Sequence, residues 1–213
     1  MTESVGRESP PVPHFGRRTE EALTYALAAH AAQVRKGAAV PYVSHLLAVA
    51  SIVMEDGGDE DAVVAALLHD AVEDQGGLPR LEDIEHRFGS HVARIVGACS
   101  DSLAEDRSTK EPWEDRKRAY LHHLDRETDP AVLRVALADK LHNARSIATD
   151  AADDPEAWRR FKAAPDRIVW YYGECLRILR ERHPESRFVA ELAVALERLS
   201  ALADEEMARR GTT

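Results

Sequence analysis

The chain has no stretch approaching the roughly 18 consecutive apolar residues that a membrane-spanning helix requires. It also has no excess of positive charge. With 28 Lys and Arg against 38 Asp and Glu, the formal net charge is −10, which argues against a general nucleic-acid or anionic-membrane binder while leaving room for a local basic pocket. Aromatic residues make up only 6% of the chain, and there are 11 glycines and 10 prolines in 213 residues. Alanine and leucine abound instead, so helix is the expected material. The two cysteines, Cys99 and Cys175, lack CxxC spacing and sit in apolar helical patterns. They are expected as reduced core thiols in a cytoplasmic protein. The opening MTESVGRESPPVPHFG has no apolar h-region, so a secretory leader is not expected and a loose tail is.

What remains is a helical pattern. Thr19 reads as a helix N-cap with Glu20 and Glu21 in the first turn, and Leu23, Leu27, His30 and Val34 mark one face of a helix reaching toward Gly37. A second helix starts near Ser44-His45 and stops at Gly57-Gly58. The third, AALLHDAVED, is read as one helix closed by Gly76-Gly77. Further helices are expected over Leu81–Phe88, Ser90–Cys99, Trp113–Leu124, Pro130–Ile147, a short segment from Pro155 carrying Trp158 and Phe161, Asp166–Glu181 and Ser186–Met207, with an exposed loop from Asp101 to Lys110. No strand alternation or internal repeat is visible. The expectation is an all-α, single-domain bundle of about nine or ten helices over residues 17–209, preceded by a tail through residue 16.

Three places put polar groups where a core is expected. Ala62 to Leu68 is an unbroken apolar run, the mark of a helix surrounded by other elements, yet His69, Asp70, Glu73 and Asp74 follow at once. Unpaired charge is costly to bury, so these groups need partners, an ion or a wet cleft. His45 aligns with the apolar Val49 and Ile52, and Asp139 lies on the stripe of Val132, Val135 and Ala136. Two imidazoles and two carboxylates make a mixed N/O donor set suited to Mn²⁺, Fe²⁺ or Zn²⁺. A buried ion pair with Arg or Lys is the other account of Asp139. His30 reads as a neighbour of the site, His142 as either a neighbour of the site or a structural residue, His122 and His123 as surface or packing residues, and Trp170-Tyr171-Tyr172 mainly as core.

The segments AHAAQVRKG (29–37), PYVSHLLAVA (41–50), AALLHDAVED (65–74), FGSHVARIV (88–96) and ADKLHNARSI (138–147) together resemble the HD-domain hydrolases of the RelA/SpoT type, including the small alarmone hydrolases. The resemblance covers about residues 20 to 183. It implies a manganese-dependent phosphohydrolase that removes the 3′-pyrophosphate of (p)ppGpp, acting on a small-molecule nucleotide without nucleic-acid or membrane partners. Carried over by motif position, it implies His45, His69, Asp70 and Asp139 as metal ligands and Glu73 and Asp74 as the catalytic acidic pair. Arg35, Lys36, Lys140, Asn143 and Arg145 would then contact the substrate. The family's Thr-Lys after the fifth helix is replaced by ACSDSLAED, so Lys110, Arg116, Lys117 or Arg118 is expected to supply the missing cation. No synthetase domain is expected. Other nucleotides (a pppApp-type alarmone, the 2′-phosphate of NADPH) or a catalytically silent nucleotide-binding domain stand as alternatives, and the oligomeric state is open.

Overall fold

The computed structural model describes residues 15–104 and 110–211; the expected N-terminal tail therefore lies almost wholly outside the described residues. Among the described residues there are ten α-helices and one 3₁₀ turn: α1 (Arg17–Ala29), α2 (Val43–Glu55), α3 (Glu60–Leu68), α4 (Ala71–Gln75), α5 (Gly77–Phe88), α6 (Ser90–Cys99), α7 (Trp113–Arg126), α8 (Pro130–Asp153), the 3₁₀ turn Pro155–Arg160, α9 (Pro165–Arg182) and α10 (Phe188–Gly211). The all-α expectation holds. An isolated antiparallel bridge, Val34 to Pro41, is the sole β-type pairing among the described residues.

Helix α3 is the axis of the bundle. All seven residues from Ala62 to Leu68 are buried, because α1, α2, α6 and α8 pack around it. Each fully buried Val or Leu contributes on the order of 1.5–3 kcal/mol of transfer free energy. Asp59 starts this helix by accepting the Ala62 N–H at 2.9 Å, and Glu60 and Asp61 sit in its first turn where the helix dipole favours them. The long helix α8 begins the same way: the Asp129 carboxylate accepts the Ala131 N–H at 2.9 Å, with Pro130 in the first turn. α10 packs against α8 and α9 and closes the far side.

Several expectations need correction. Thr19 is not the cap of α1; Gly16 is, and the Thr19 hydroxyl donates instead to Glu60. The helix ends at Ala29, well short of Val34. Beyond it the backbone leaves the helix to pair Arg35 N–H with Val40 O (2.8 Å) and Tyr42 N–H with Gln33 O (2.9 Å). The buried face of α1 is Ala22 and Ala26, while Leu27 and Val34 are exposed. AALLHDAVED is not one helix either. It breaks at His69-Asp70, where the His69 ring takes the Ala66 carbonyl (Nδ1 to O 2.8 Å) that a continuous helix would use for its own ladder. The stretch from Asp101 is not uniformly exposed, since the Asp101 carboxylate is buried against Arg116 and Lys117. His122 and His123 lie on the surface.

A buried polar network away from α3 ties the helix ends together. Asp56, at the end of α2, accepts from Arg134 (3.1 Å) and Ser186 (2.7 Å) and meets His183 Nε2 at 3.1 Å. It joins α2 to α8 and to the α9–α10 turn.

Candidate active site

Three helices bring the polar residues of the core to one point. His45, on the first turn of α2, and His69, at the α3–α4 break, are buried, and Asp139 reaches them from the middle of α8. His45 Nε2 lies 3.3 Å from Asp70 Oδ2 and 3.3 Å from Asp139 Oδ1; His69 Nε2 lies 3.1 Å and 3.6 Å from the same two atoms. Ligand atoms of His45, His69 and Asp70 all stand within 4.8 Å of one another. The break after Leu68 makes this possible. It turns the His69 ring back onto Ala66, and Asp70 still accepts the Asp74 N–H at 3.0 Å, so both side chains of the pair face the same space.

Two observations bear on whether this donor set fits a divalent cation. The Nε2 atoms of His45 and His69 are buried and have no hydrogen-bond partner of proper geometry, a costly state for a polar atom unless something else binds it. Each ring is also held from behind: His69 Nδ1 donates to Ala66 O, and His45 Nδ1 lies 2.7 Å from His142 Nδ1. That is the support which fixes the tautomer of a ligating histidine and leaves Nε2 free to bind. Two imidazole nitrogens and the Asp70 carboxylate, with Asp139 alongside, are donors of the kind a divalent transition-metal ion takes.

The charges are strongly coupled. Burial works against the His69 imidazolium, but Asp70 and Asp139 outweigh it and hold its pKa well above the usual histidine value. Burial likewise works against the Asp70 carboxylate, yet His69 and His45 keep its pKa well below the usual range. Asp139 is held down in the same way, against burial, by Lys140 and the two histidines. The ion-pair account of Asp139 is seen directly, Oδ2 taking Lys140 Nζ at 2.6 Å, while Oδ1 faces the imidazoles and accepts from Asn143. Tyr42 donates to Asp70 Oδ2 at 2.6 Å and stacks on His30. Burial, Asp70 and Asp74 push its hydroxyl pKa up, so it stays a donor.

Glu73 and Asp74 stand next to this cluster with different neighbours. Asp74 Oδ2 accepts from Gln33 Nε2 at 2.6 Å, and Gln33 in turn is met by His30 Nδ1 (2.7 Å) and Gln75 Nε2 (2.6 Å). Glu73 is 3.2 Å from Lys110 Nζ and 3.8 Å from Arg116 Nη1. Burial, then Asp101 and Asp70, raise the Glu73 pKa against the pull of Lys117 and Lys110. Lys110, Arg116 and Lys117 thus surround Glu73 and Asp101, whereas Arg118 lies apart, on Glu114 and Trp170.

The substrate candidates divide. Arg35 and Asn143 come together, Arg35 Nη2 donating to Asn143 Oδ1 at 2.8 Å with its guanidinium over the Tyr42 ring. They line a cavity of about 510 Å³ with Lys36, Asp74, Arg160, Phe161 and Tyr172. Lys140 is not brought there: it is buried between Asp139 and the rings of Tyr120 and Tyr171. Arg145 is not there either. Two residues beyond Asn143 on the helix, it turns outward to pair with Glu191 of α10. Lys110 and Arg116, named in advance as candidate cations, do reach Glu73, while Gln33, Tyr42, Arg160 and Phe161 join the site without having been singled out for it. Gln33 lies inside AHAAQVRKG and Tyr42 inside PYVSH, so their proximity to motif residues was the available signal; Arg160 and Phe161 carried none.

Helices closing around a histidine–aspartate cluster of this kind define an HD-domain protein. The chain belongs to that family: the HD domain model matches residues 22–163. Human guanosine-3′,5′-bis(diphosphate) 3′-pyrophosphohydrolase MESH1 is 36% identical over 174 residues, 80% of this chain and 88% of that protein. The MESH1 protein of Xenopus tropicalis is 38% identical over 141 residues, 65% of this chain and 72% of the relative. Among solved structures, a metazoan orthologue of SpoT, described as hydrolysing ppGpp and playing a role in starvation responses, superposes with a TM-score of 0.65. It is 27% identical and the match covers 97% of this chain and 100% of that one. A Listeria monocytogenes EGD-e protein, lmo0812, gives a TM-score of 0.62 at 30% identity over 75% of this chain and 97% of its own.

Proposed function

We propose that the chain is a metal-dependent hydrolase that removes the 3′-pyrophosphate of (p)ppGpp, yielding GDP or GTP and pyrophosphate. The observation that carries this reading is the pair of buried Nε2 atoms of His45 and His69, without a hydrogen bond of proper geometry, facing the Asp70 and Asp139 carboxylates. The named activity of relatives 36–38% identical supports it.

His45, His69, Asp70 and Asp139 would hold the cation, with manganese the ion we assign. When bound, such an ion supplies Lewis acidity, acidifying water and neutralising phosphoryl oxygens. The remaining work falls to the chain's own groups. Glu73 and Asp74 orient the attacking water and carry protons. Gln33 fixes the Asp74 carboxylate for this task. The water oxygen bonds to the 3′-phosphorus as that phosphorus releases the ribose 3′-oxygen. The acidic pair takes the proton that water loses and returns one to the 3′-oxygen. Lys110 and Arg116, beside Glu73, offset charge on the pyrophosphoryl group as it passes to water. Arg35 offers a planar guanidinium to the purine, and Asn143 links it to Asp139. A diffusible nucleotide substrate and two unpaired cysteines suit the cytoplasm, where this activity would end a stringent-type response.

The test follows pyrophosphate release from ppGpp by the purified chain loaded with Mn²⁺, with pppApp (pyrophosphate release) and NADPH (phosphate release) in parallel. The reading expects turnover of ppGpp, loss on chelation and recovery on adding Mn²⁺. A higher kcat/KM on NADPH or pppApp would move the assignment to that substrate, and binding without turnover of any would make this a silent domain.

A further inference from the structure

Between α6 and α7 the chain carries a buried carboxylate, Asp101, that the proposed reaction does not use. It lies two residues beyond the end of α6. Ser100 donates its N–H to Gly97 O at 3.2 Å and its hydroxyl to Val96 O at 2.9 Å, and on the other side the Leu78 N–H of α5 donates to Leu103 O at 3.2 Å. The backbone around Asp101 is thus tied down at both sides. Its side chain is 3% exposed, and two cations of α7 meet it: Arg116 through Nη1, and Lys117, whose Nζ stands 2.6 Å from Oδ2.

The same cations border Glu73. Arg116 Nη1, in contact with Asp101, is 3.8 Å from Glu73 Oε1, and the Arg116 Nε donates to Glu111 O at 3.1 Å. The guanidinium is therefore pinned at both ends, and the end nearer Glu73 is committed to Asp101. Lys117 is turned to Asp101 and to the Tyr171 ring, 4.7 Å from its centre. Lys110 touches Glu73 Oε1 at 3.2 Å but shares its ammonium with the Glu73 carbonyl at 3.0 Å. Burial works against the Asp101 carboxylate, yet Lys117, Arg116 and a hydrogen bond from Glu73 hold its pKa below the usual range. Burial, then Asp101 and Asp70, move Glu73 the other way, against Lys117 and Lys110. Two carboxyls driven apart like this divide their work, one staying an anion while the other exchanges the proton.

Without Asp101, three cations would face Glu73 alone. A guanidinium or ammonium closing to contact distance would hold Glu73 ionised and occupy the oxygens that carry a proton. We propose that Asp101 is a positioning residue for the hydrolysis: it draws Arg116 and Lys117 onto itself, so that neither closes on Glu73 and its carboxyl stays free for proton transfer. This deepens, and rests on, the reading of the preceding subsection.

The experiment is a double-mutant cycle on the Mn²⁺-loaded protein, with Asp101→Asn made in the wild type and in Glu73→Gln. In the wild type, kcat on ppGpp should fall on the order of 10²-fold, with Mn²⁺ affinity by calorimetry unchanged. In Glu73→Gln, which has no carboxylate for the cations to close on, the same change should cost no more than about twofold. An equal loss in both backgrounds overturns the proposal, because it marks a merely structural role. Should Asp101→Asn lower the melting temperature, the charge-balanced Asp101→Asn, Lys117→Met takes its place in the cycle. A second reading needs neither metal nor turnover. The Glu73 carboxyl, followed by carbon NMR in chelator-treated protein, should titrate at lower pH in Asp101→Asn than in the wild type; an unmoved midpoint also overturns the proposal. If ppGpp is not hydrolysed at all, the hydrolase reading falls, and the carboxyl titration alone decides whether Asp101 governs Glu73.

Discussion

His45 and His142 face each other through their Nδ1 atoms, 2.7 Å apart, one on α2 and the other on α8. A bond between two imidazole nitrogens requires one to donate and the other to accept. Burial, His45 and Arg35 lower the His142 pKa to about 4, so His142 is neutral at pH 7 and has a lone pair to offer. With His142 Nδ1 as the acceptor, His45 carries its proton on Nδ1, and its buried Nε2 is left to bind. Replacing His142 by Leu should weaken Mn²⁺ binding roughly 10–100-fold. Metal titration by calorimetry on the folded variant measures this directly; unchanged affinity would mean His142 has no part in setting the His45 tautomer.

Asp74 and Glu73 should separate in kinetics. Asp74→Asn keeps the Gln33 contact nearly in place and removes the charge. If the carboxylate handles a proton, kcat should fall roughly 10²–10⁴-fold with Mn²⁺ affinity preserved. Steady-state kinetics beside the metal titration decides it, and wild-type turnover in this variant would remove Asp74 from the reaction.

Lys140 is a structural partner of Asp139. The ammonium is buried, 2.6 Å from Asp139 Oδ2; burial lowers its pKa, but Asp139 raises it further, and the net position is well above the usual lysine value. Asp139→Ala should therefore destabilise the fold by about 3–5 kcal/mol even with metal chelated, because it strands a buried cation. Urea denaturation in chelator measures the loss. The double variant Asp139→Ala, Lys140→Met should recover part of it, and a failure to recover would show that the pairing is not the reason.

His91 gives a pH-dependent contribution far from the site. Its ring bridges Asp61 at the start of α3 and Asp129 at the start of α8, both at 3.0 Å, and these contacts raise its pKa. A raised pKa in the folded state means stability fully present below the ordinary histidine value of about 6.5 and lost as pH rises through the folded value. The side chain is 45% exposed, so solvent screening limits the effect to below about 1 kcal/mol. His91→Gln should lower the denaturation midpoint at pH 5.5 and match the wild type at pH 8.5. An equal deficit at both would point to packing and not charge.

The local chemistry of the chain was legible wherever one helix supplied it. The unbroken run Ala62–Leu68 announced a helix buried on all sides, and α3 is one. Pro130 marked the start of α8. His45, His69, Asp70 and Asp139 stood out because polar groups on apolar stripes need an explanation. Reading failed where a contact from elsewhere overrode local preference. Leu27 and Val34 continued the period of α1, but the bridge between Val34 and Pro41 ended the helix first. Arg145 and Lys140 both fell within a motif, yet the turn of α8 sends one to Glu191 and the other into the core.

The amino-acid order alone thus determined an all-α chain, its buried central helix and which side chains had reason to meet an ion, since helical periodicity and the cost of buried charge are local properties. Tertiary packing decided the rest. It set the break that turns His69 onto Ala66, the choice of Asn143 over Arg145 at the cavity wall, and the meeting of Lys36 with Arg160 and Phe161. The last two depend on how segments more than a hundred residues apart in the chain are pressed together, and no local pattern records that.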